Sequence, residues 1–186
     1  MSRRQEIADV AIRLIAAEGM RGLTHRAVDR AADLPEGSTS YYFRTRQALV
    51  CATAERLADH TAAELAELES SLTNLDDLVE AAAGLVGQWL TTGRDRQLAR
   101  YELSLEATRR PELRQALLAG RARLRDMVTR LLDASGVPDA DLWAGDLIAY
   151  VDGLVLDSLL RPGDRPAEAP DLRPKIRTLL AAAGQG

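Results

Sequence analysis

The chain is predicted to be all-α and in two parts. An N-terminal three-helix unit over residues 1–46 carries a helix-turn-helix, and a helical bundle fills 47–186, with about nine helices in all. Three observations predict this. Ala and Leu abound while aromatics make up only 4 % of the 186 residues, a mix that favours helix over sheet. Apolar residues recur at i, i+3, i+4 spacing along successive segments. No alternating strand pattern, internal repeat or low-complexity tract interrupts them.

The elements follow in order. Arg3–Glu18 is an amphipathic helix with Ile7, Val10, Ala11, Leu14 and Ile15 on one face, and Gly19 and Gly22 end it. Thr24 is a natural N-cap for a helix running to Ala32, with Ala27, Val28 and Ala31 inward. Asp33-Leu34-Pro35-Glu36-Gly37 forms a turn, and a short helix after it stops near Phe43. Thr45 caps a long helix from about Arg46 to Ser71, its inward stripe marked by Leu49, Ala52, Thr53, Leu57, Thr61, Leu65 and Leu68. Leu75–Trp89 starts after Asn74, and Arg96–Arg109 follows Thr92-Gly93. Pro111 sits at a favoured first-turn position and opens Pro111–Ala134. Gly136-Val137-Pro138 separates it from Asp139–Leu160, Arg161–Pro170 is a loop rich in Pro, Gly and Asp, and Leu172–Ala183 is the last helix.

Composition excludes several classes. An apolar content of 46 % is enough for a core, yet no stretch approaches the ~20 uncharged apolar residues of a membrane span. The N-terminus lacks the apolar run of a signal peptide. Cys51 is the single cysteine, so no internal disulfide is possible and a reducing, cytoplasmic location is expected, with Cys51 a small buried apolar residue. His25 and His60 lie far apart and no Cys or carboxylate cluster has ligand spacing, so no metal or other cofactor is expected. There is no phosphate-binding glycine loop, nucleophile elbow or supported Cys/His pair, and no enzyme is expected. The net charge of −4 hides an asymmetry: residues 1–46 hold eight arginines against six acidic residues, and the acidic excess lies beyond them.

That positive excess coincides with the stretch Thr24–Arg46, THRAVDRAADLPEGSTSYYFRTR. Two short helices joined by a tight turn, the second rich in hydroxyls, make a shape that fits the major groove of DNA. Gly22-x-Thr24-x(3)-Val28, then Leu34-Pro35-Glu36-Gly37-Ser38-Thr39-Ser40-Tyr41-Tyr42-Phe43, then Arg44-Thr45-Arg46-x-Ala48-Leu49, resembles the N-terminal domain of TetR-type (TetR/AcrR) transcriptional regulators over about residues 3–50. The resemblance implies a bacterial repressor that forms a homodimer, binds double-stranded operator DNA, and leaves it when a small-molecule effector enters a pocket of the C-terminal bundle. By the same resemblance, Gly37, Ser40 and Tyr41 match base-contacting positions, and Thr24, Arg26, Tyr42 and Arg46 match phosphate-contacting ones.

The chemistry of these residues agrees with those roles. Gly37 permits close approach, Ser38 and Ser40 can donate or accept, and Glu36 could accept from a cytosine amine. Tyr and Arg reach phosphates and fix register without reading sequence. The helix N-terminus adds partial positive charge. One of Tyr41 and Tyr42 is expected to bury its ring, and His25 to be a packing or surface residue.

There are departures from the family pattern. Asp33 stands at a usual turn glycine and Asp29 at a usual small apolar residue, while Thr39 and Ser40 take usually apolar and aromatic positions. Arg46 replaces a lysine, which alters the geometry of a phosphate contact. These departures bear on operator sequence.

The C-terminal bundle yields less. Gln88, Trp89, Tyr101, Leu105, Met127, Trp143 and Tyr150 are its scarce large or adaptable side chains; pocket lining and plain core packing both fit each of them, and a small, largely apolar effector is expected. Gly145, Ala149 and Gly153 recur on one face of Asp139–Leu160, extended by Leu156 and Leu160, and Ile176, Leu179 and Leu180 offer a second face. Together they suit an intersubunit four-helix bundle, close packing within one subunit being the alternative. Should DNA binding be absent, the chain is a helical ligand-binding or scaffold protein.

Overall fold

The computed structural model describes residues 2–69, 72–161 and 171–183. The expected loop over 162–170 and the expected last turn of the long helix at Ser70-Ser71 lie outside them. All regular structure among the described residues is helical: α1 (Arg3–Gly22), α2 (His25–Ala31), α3 (Ser38–Tyr42), α4 (Arg46–Glu69), α5 (Leu75–Leu90), α6 (Arg94–Ala107), α7 (Pro111–Ala134), α8 (Ala140–Leu160) and α9 (Arg173–Ala183). The all-α reading is borne out.

Local chemistry sets the boundaries. Ser2 and Gln5 form a capping box at α1: the Gln5 amide donates to Ser2 Oγ at 3.3 Å and the Ser2 amide to Gln5 Oε1 at 2.7 Å. Thr24 Oγ1 accepts from the Ala27 amide at 3.1 Å, Thr45 Oγ1 from the Ala48 amide at 3.1 Å, and Asn74 Oδ1 from the Asp77 amide at 2.9 Å. α1 continues past its expected end to Gly22, interrupted at Gly19, whose φ of 67° breaks the helical path. Ala31 is exposed rather than inward; Ala32 takes its place against the core.

Packing does not divide the chain at residue 46. One compact unit comprises Met1–His60 with Asp95–Arg121, and the other Thr61–Arg94 with Ala122–Gly186. α4 and α7 each begin in the first and end in the second. The first unit has one apolar core. Ile7, Val10, Ala11 and Ile15 of α1 join Val28, Phe43 and Leu49, and Ala99, Leu103 and Ala107 of α6 close it together with Leu113 of α7. The helix-turn-helix is thus seated on the two later helices as well as on α1. Asp9 ties α1 to α4: Arg56 donates from Nε and Nη2 at 2.9 Å each, and His60 Nε2 lies 2.7 Å from Oδ1. Burial pushes the Asp9 carboxyl up, but the bonds from Arg56 and His60 outweigh it and hold it below the usual carboxylate range.

In the second unit α9 packs against α5 and α8, and α5 against α8. Ile176 and Leu180 of α9 are fully buried, while Arg173 pairs with Glu80 at 2.8 Å and Arg177 with Asp76 at 2.5 Å at the rim. This corrects the expected role of Ile176 and Leu180: both are spent inside the subunit, where a partner chain cannot reach them, and Leu179 alone of that face stays half-exposed.

Candidate nucleic-acid interface

α3 is five residues long, and its N-cap, Gly37, has no side chain with which to cap it. Gly37 adopts φ 93°, a left-handed conformation in which a Cβ would be strained. Asp33 is also left-handed at φ 52°, which Asp tolerates better than most residues. The missing cap comes from α2. Asp29 Oδ2 accepts from the Gly37 amide at 2.8 Å, and Oδ1 accepts from the Thr39 amide at 2.8 Å and the Thr39 hydroxyl at 2.6 Å. Asp29 is 3 % exposed and Thr39 0 %. Burial pushes the Asp29 carboxyl up, but the three donors, assisted by His25, hold it below the usual range, so it is ionised at neutral pH. Two apparent departures, Asp29 and Thr39, are therefore one contact.

This contact corrects the expected phosphate-binding role of the α3 N-terminus. The Gly37 and Thr39 amides face Asp29, and the Ser38 amide faces the Pro35 carbonyl at 3.1 Å. The Ser38 hydroxyl donates to the same carbonyl at 2.7 Å, so it keeps only its acceptor capacity. Ser40 is exposed and Tyr41 is 72 % exposed, which leaves these two as the open side chains of α3.

Tyr42 is the aromatic that turns inward. Its ring packs partly on the core and edge-on to Tyr41, with centroids 5.1 Å apart, and its carbonyl accepts from Arg4 Nη1 at 2.6 Å. Arg4 also lies over the buried Phe43 ring at 4.3 Å, and His25 Nε2 donates to the Phe43 carbonyl at 2.7 Å. These two contacts hold the C-terminal end of α3.

Other candidates are placed differently from one another. Arg26 and Glu36 pair at 2.9 Å with both side chains largely exposed, a contact weak enough to open when a nucleic acid approaches. Thr24 is exposed but uses its hydroxyl as the α2 cap. Arg46 is half-exposed: its Nε donates to the Leu23 carbonyl at 3.1 Å and its Nη2 to the Met20 carbonyl, so it also closes the end of α1. Arg44, outside the candidate set, is an exposed cation that follows α3; its place directly after Phe43 was the available signal.

The seven effector-site candidates are divided between the two units. Tyr101 and Leu105 belong to the first unit, and Gln88, Trp89, Met127, Trp143 and Tyr150 to the second. Leu105 and Gln88 face outward. Trp89 is buried with its indole N–H donated to Glu64 at 2.8 Å, which fits core packing. Met127, Trp143 and Tyr150 are half-buried. A cleft of about 600 Å³ near Arg21, Glu102 and Arg109, and one of about 150 Å³ beside Cys51, both belong to the first unit and touch none of the seven. Burial, with Glu55 and Glu112 nearby, pushes the Cys51 thiol up, away from thiolate chemistry. Among the described residues no cluster of three His, Cys, Asp or Glu is placed to hold a metal, and no helix is long and apolar enough to cross a membrane.

On α8, Gly145 is half-exposed. A Cβ there would meet the flexible end of the Arg125 side chain of α7, Nη1, at 3.0 Å. Ala149 and Gly153 are exposed, and a Cβ at Gly153 would meet nothing within 4 Å. Leu156 and Leu160 are exposed at 41 % and 74 %. Leu142, exposed at 70 %, extends the same stripe; its heptad spacing from Ala149 and Leu156 was the signal.

The family model described as bacterial regulatory proteins, tetR family, matches residues 7–53, and the one described as tetracyclin repressor-like, C-terminal domain, matches residues 73–186. Among curated proteins, an uncharacterized HTH-type transcriptional regulator in the dhlA 5′ region of Xanthobacter autotrophicus is 35 % identical over 66 residues, 36 % of this chain and 33 % of that protein. The match thus spans about a third of that relative's length. Among solved structures, a member of the TetR family from Streptomyces coelicolor A3 is 33 % identical with a TM-score of 0.73, covering 98 % of both chains. The multidrug binding protein EbrR complexed with ethidium is 30 % identical at 0.71, also over 98 % of both. A transcriptional regulator from Rhodococcus sp. Rha1, 22 % identical with a TM-score of 0.80 over 100 % of this chain and 97 % of its own, shares the fold.

Proposed function

The chain belongs to the TetR family of bacterial regulatory proteins, and from that premise we propose that it is a cytoplasmic, homodimeric repressor released from its operator by a small, largely apolar effector. It is a transcriptional regulator with a DNA-binding domain and a ligand-binding domain, in a family of transcription factors rather than enzymes. The observation that carries the finer reading is the face of α3. Ser40 and Tyr41 stand open on a helix pinned at both ends, beside Arg44 and the Arg26–Glu36 pair. Ser40 and Tyr41 read base edges in the major groove, and Arg26, Arg44 and Thr24 meet phosphates.

Two copies are needed because one short helix buries too little surface to select a site. The exposed stripe Leu142, Ala149, Gly153, Leu156 and Leu160 supports pairing of α8 with its counterpart, with Leu179 at its edge. Two-fold pairing sets the recognition helices about 34–36 Å apart or a multiple of that. EbrR has been seen with ethidium, imidazole, proflavin and malachite green, which supports a small aromatic effector here. Met127, Trp143 and Tyr150, half-buried in the second unit, are the residues to test as its contacts. Effector binding shifts the population between DNA-competent and DNA-incompetent settings of α4 and α7, the helices common to both units.

Binding to duplexes from the region flanking its own gene, measured at several salt concentrations, tests this reading. Sequence-preferring, salt-sensitive binding is expected. Absence of binding at low salt sinks it.

A further inference from the structure

We propose that Asp29 and Thr39 form a positioning pair that fixes the rotation of α3 and so decides which base edges Ser40 and Tyr41 reach. The inference rests on the DNA-reading role of α3.

A helix of five residues has no intrinsic stability, so its orientation comes from what it is fastened to. At its start that fastening is polar and comes from a different helix. One buried carboxylate of α2 receives three donors from α3: two through Oδ1, from the amide and hydroxyl of Thr39, and one through Oδ2, from the Gly37 amide. Hydrogen bonds weaken steeply as their angles depart from linear. Apolar contacts have no such dependence and let a short helix roll. Three bonds to two oxygens of one rigid group leave α3 a single rotational setting.

Because Thr39 is on the covered side, Ser40 and Tyr41 are turned outward by the same bonds. A tilt of α3 displaces the tip of Tyr41 far more than its backbone, since the side chain is the long arm of the lever. Base-edge hydrogen bonds do not survive such a displacement, whereas phosphate contacts made elsewhere on the unit do.

The experiment compares wild type, Thr39→Val, Thr39→Ser and Asp29→Asn on duplexes that the wild type selects from a randomised pool, and on single-base variants of those duplexes. Thr39→Val keeps both amide bonds and the side-chain shape but removes the hydroxyl donor. Asp29→Asn offers one acceptor oxygen where two are used. Expected is a fall of about ten-fold in discrimination between selected and single-base-variant duplexes for both, with the slope of binding against salt unchanged. Thr39→Ser restores discrimination. Far-ultraviolet circular dichroism and thermal melting of each variant, full length, establish that it is folded; if Asp29→Asn fails to fold, the comparison of Thr39→Val with Thr39→Ser decides alone. Discrimination retained in folded Thr39→Val, or an equal loss on every duplex, overturns the positioning role. A wild type that selects no sequence overturns the DNA-reading proposal itself, and the positioning role with it.

Discussion

α3 and α9 are both small helices held onto larger bodies, and they are held by opposite means. α3 is bracketed by three hydrogen bonds to a buried carboxylate, with Arg4 and His25 gripping its other end. α9 is held by Ile176 and Leu180 in an apolar bed, with two ion pairs at the rim. The polar bracket fixes direction at the cost of burying a charge, and a buried charge adds little net stability. The apolar bed supplies stability through area and cares little about direction. The element whose angle the proposed function depends on has the directional fastening.

The contrast can be broken or sharpened by mutation. Ile176→Ala is expected to have the largest effect, about 2–5 kcal/mol of lost stability by chemical denaturation, with base discrimination unaltered in the folded fraction. Altered discrimination would mean the two seats are not separable. Asp29→Asn should cost less, about 1–3 kcal/mol, because it leaves a donor facing a donor. This penalty depends on pH. Asp29 is held below its usual pKa, so the stability it adds is complete above the unfolded value of about 4 and is lost as pH falls through the lower folded value. The difference in stability between wild type and Asp29→Asn should hold constant from about pH 5 to 7 and shrink below about pH 4. A difference that grows on acidification contradicts the assignment.

Gly153→Leu leaves the subunit's stability nearly unchanged, since the site has open space, but should lower the mass seen by sedimentation from dimer to monomer. An unchanged mass removes the α8 stripe from the interface. Arg26→Ala is the smallest: under about 1 kcal/mol in stability, because its partner Glu36 is exposed. It should weaken binding to all duplexes alike and reduce the salt slope by about one.

Helix positions were legible because the punctuation is local. Asn74 and Thr24 act as caps, Pro111 opens α7, and Gly136 at φ 77° follows its end, all within one turn of where they signal. The reading face was legible as far as Ser40 and Tyr41, whose exposure follows from a short helix with a covered Thr39. The pairing of Asp29 with Thr39 was not, since it crosses a turn and joins residues ten positions apart, each of which looks anomalous alone. The carbonyl contacts of Arg46 were not legible for a related reason: a long cation near a helix end can meet phosphate or the chain's own carbonyls, and only tertiary placement brings Leu23 and Met20 to it. Ile176 and Leu160 illustrate the limit for the second unit. Both are apolar residues on amphipathic helices, yet one is 0 % exposed and the other 74 %. An apolar stripe reports that something covers it and does not report whose chain supplies the cover.

The bracket also bears on how such a regulator can be retargeted. The bonds that fasten α3 run through Gly37, Thr39, Tyr42 and Phe43 rather than through the side chains of Ser40 and Tyr41, although the Tyr41 ring also packs edge-on to Tyr42. Libraries confined to these two positions should therefore sample new recognition specificities on a constant scaffold, whereas libraries that include Thr39 should yield mostly promiscuous binders.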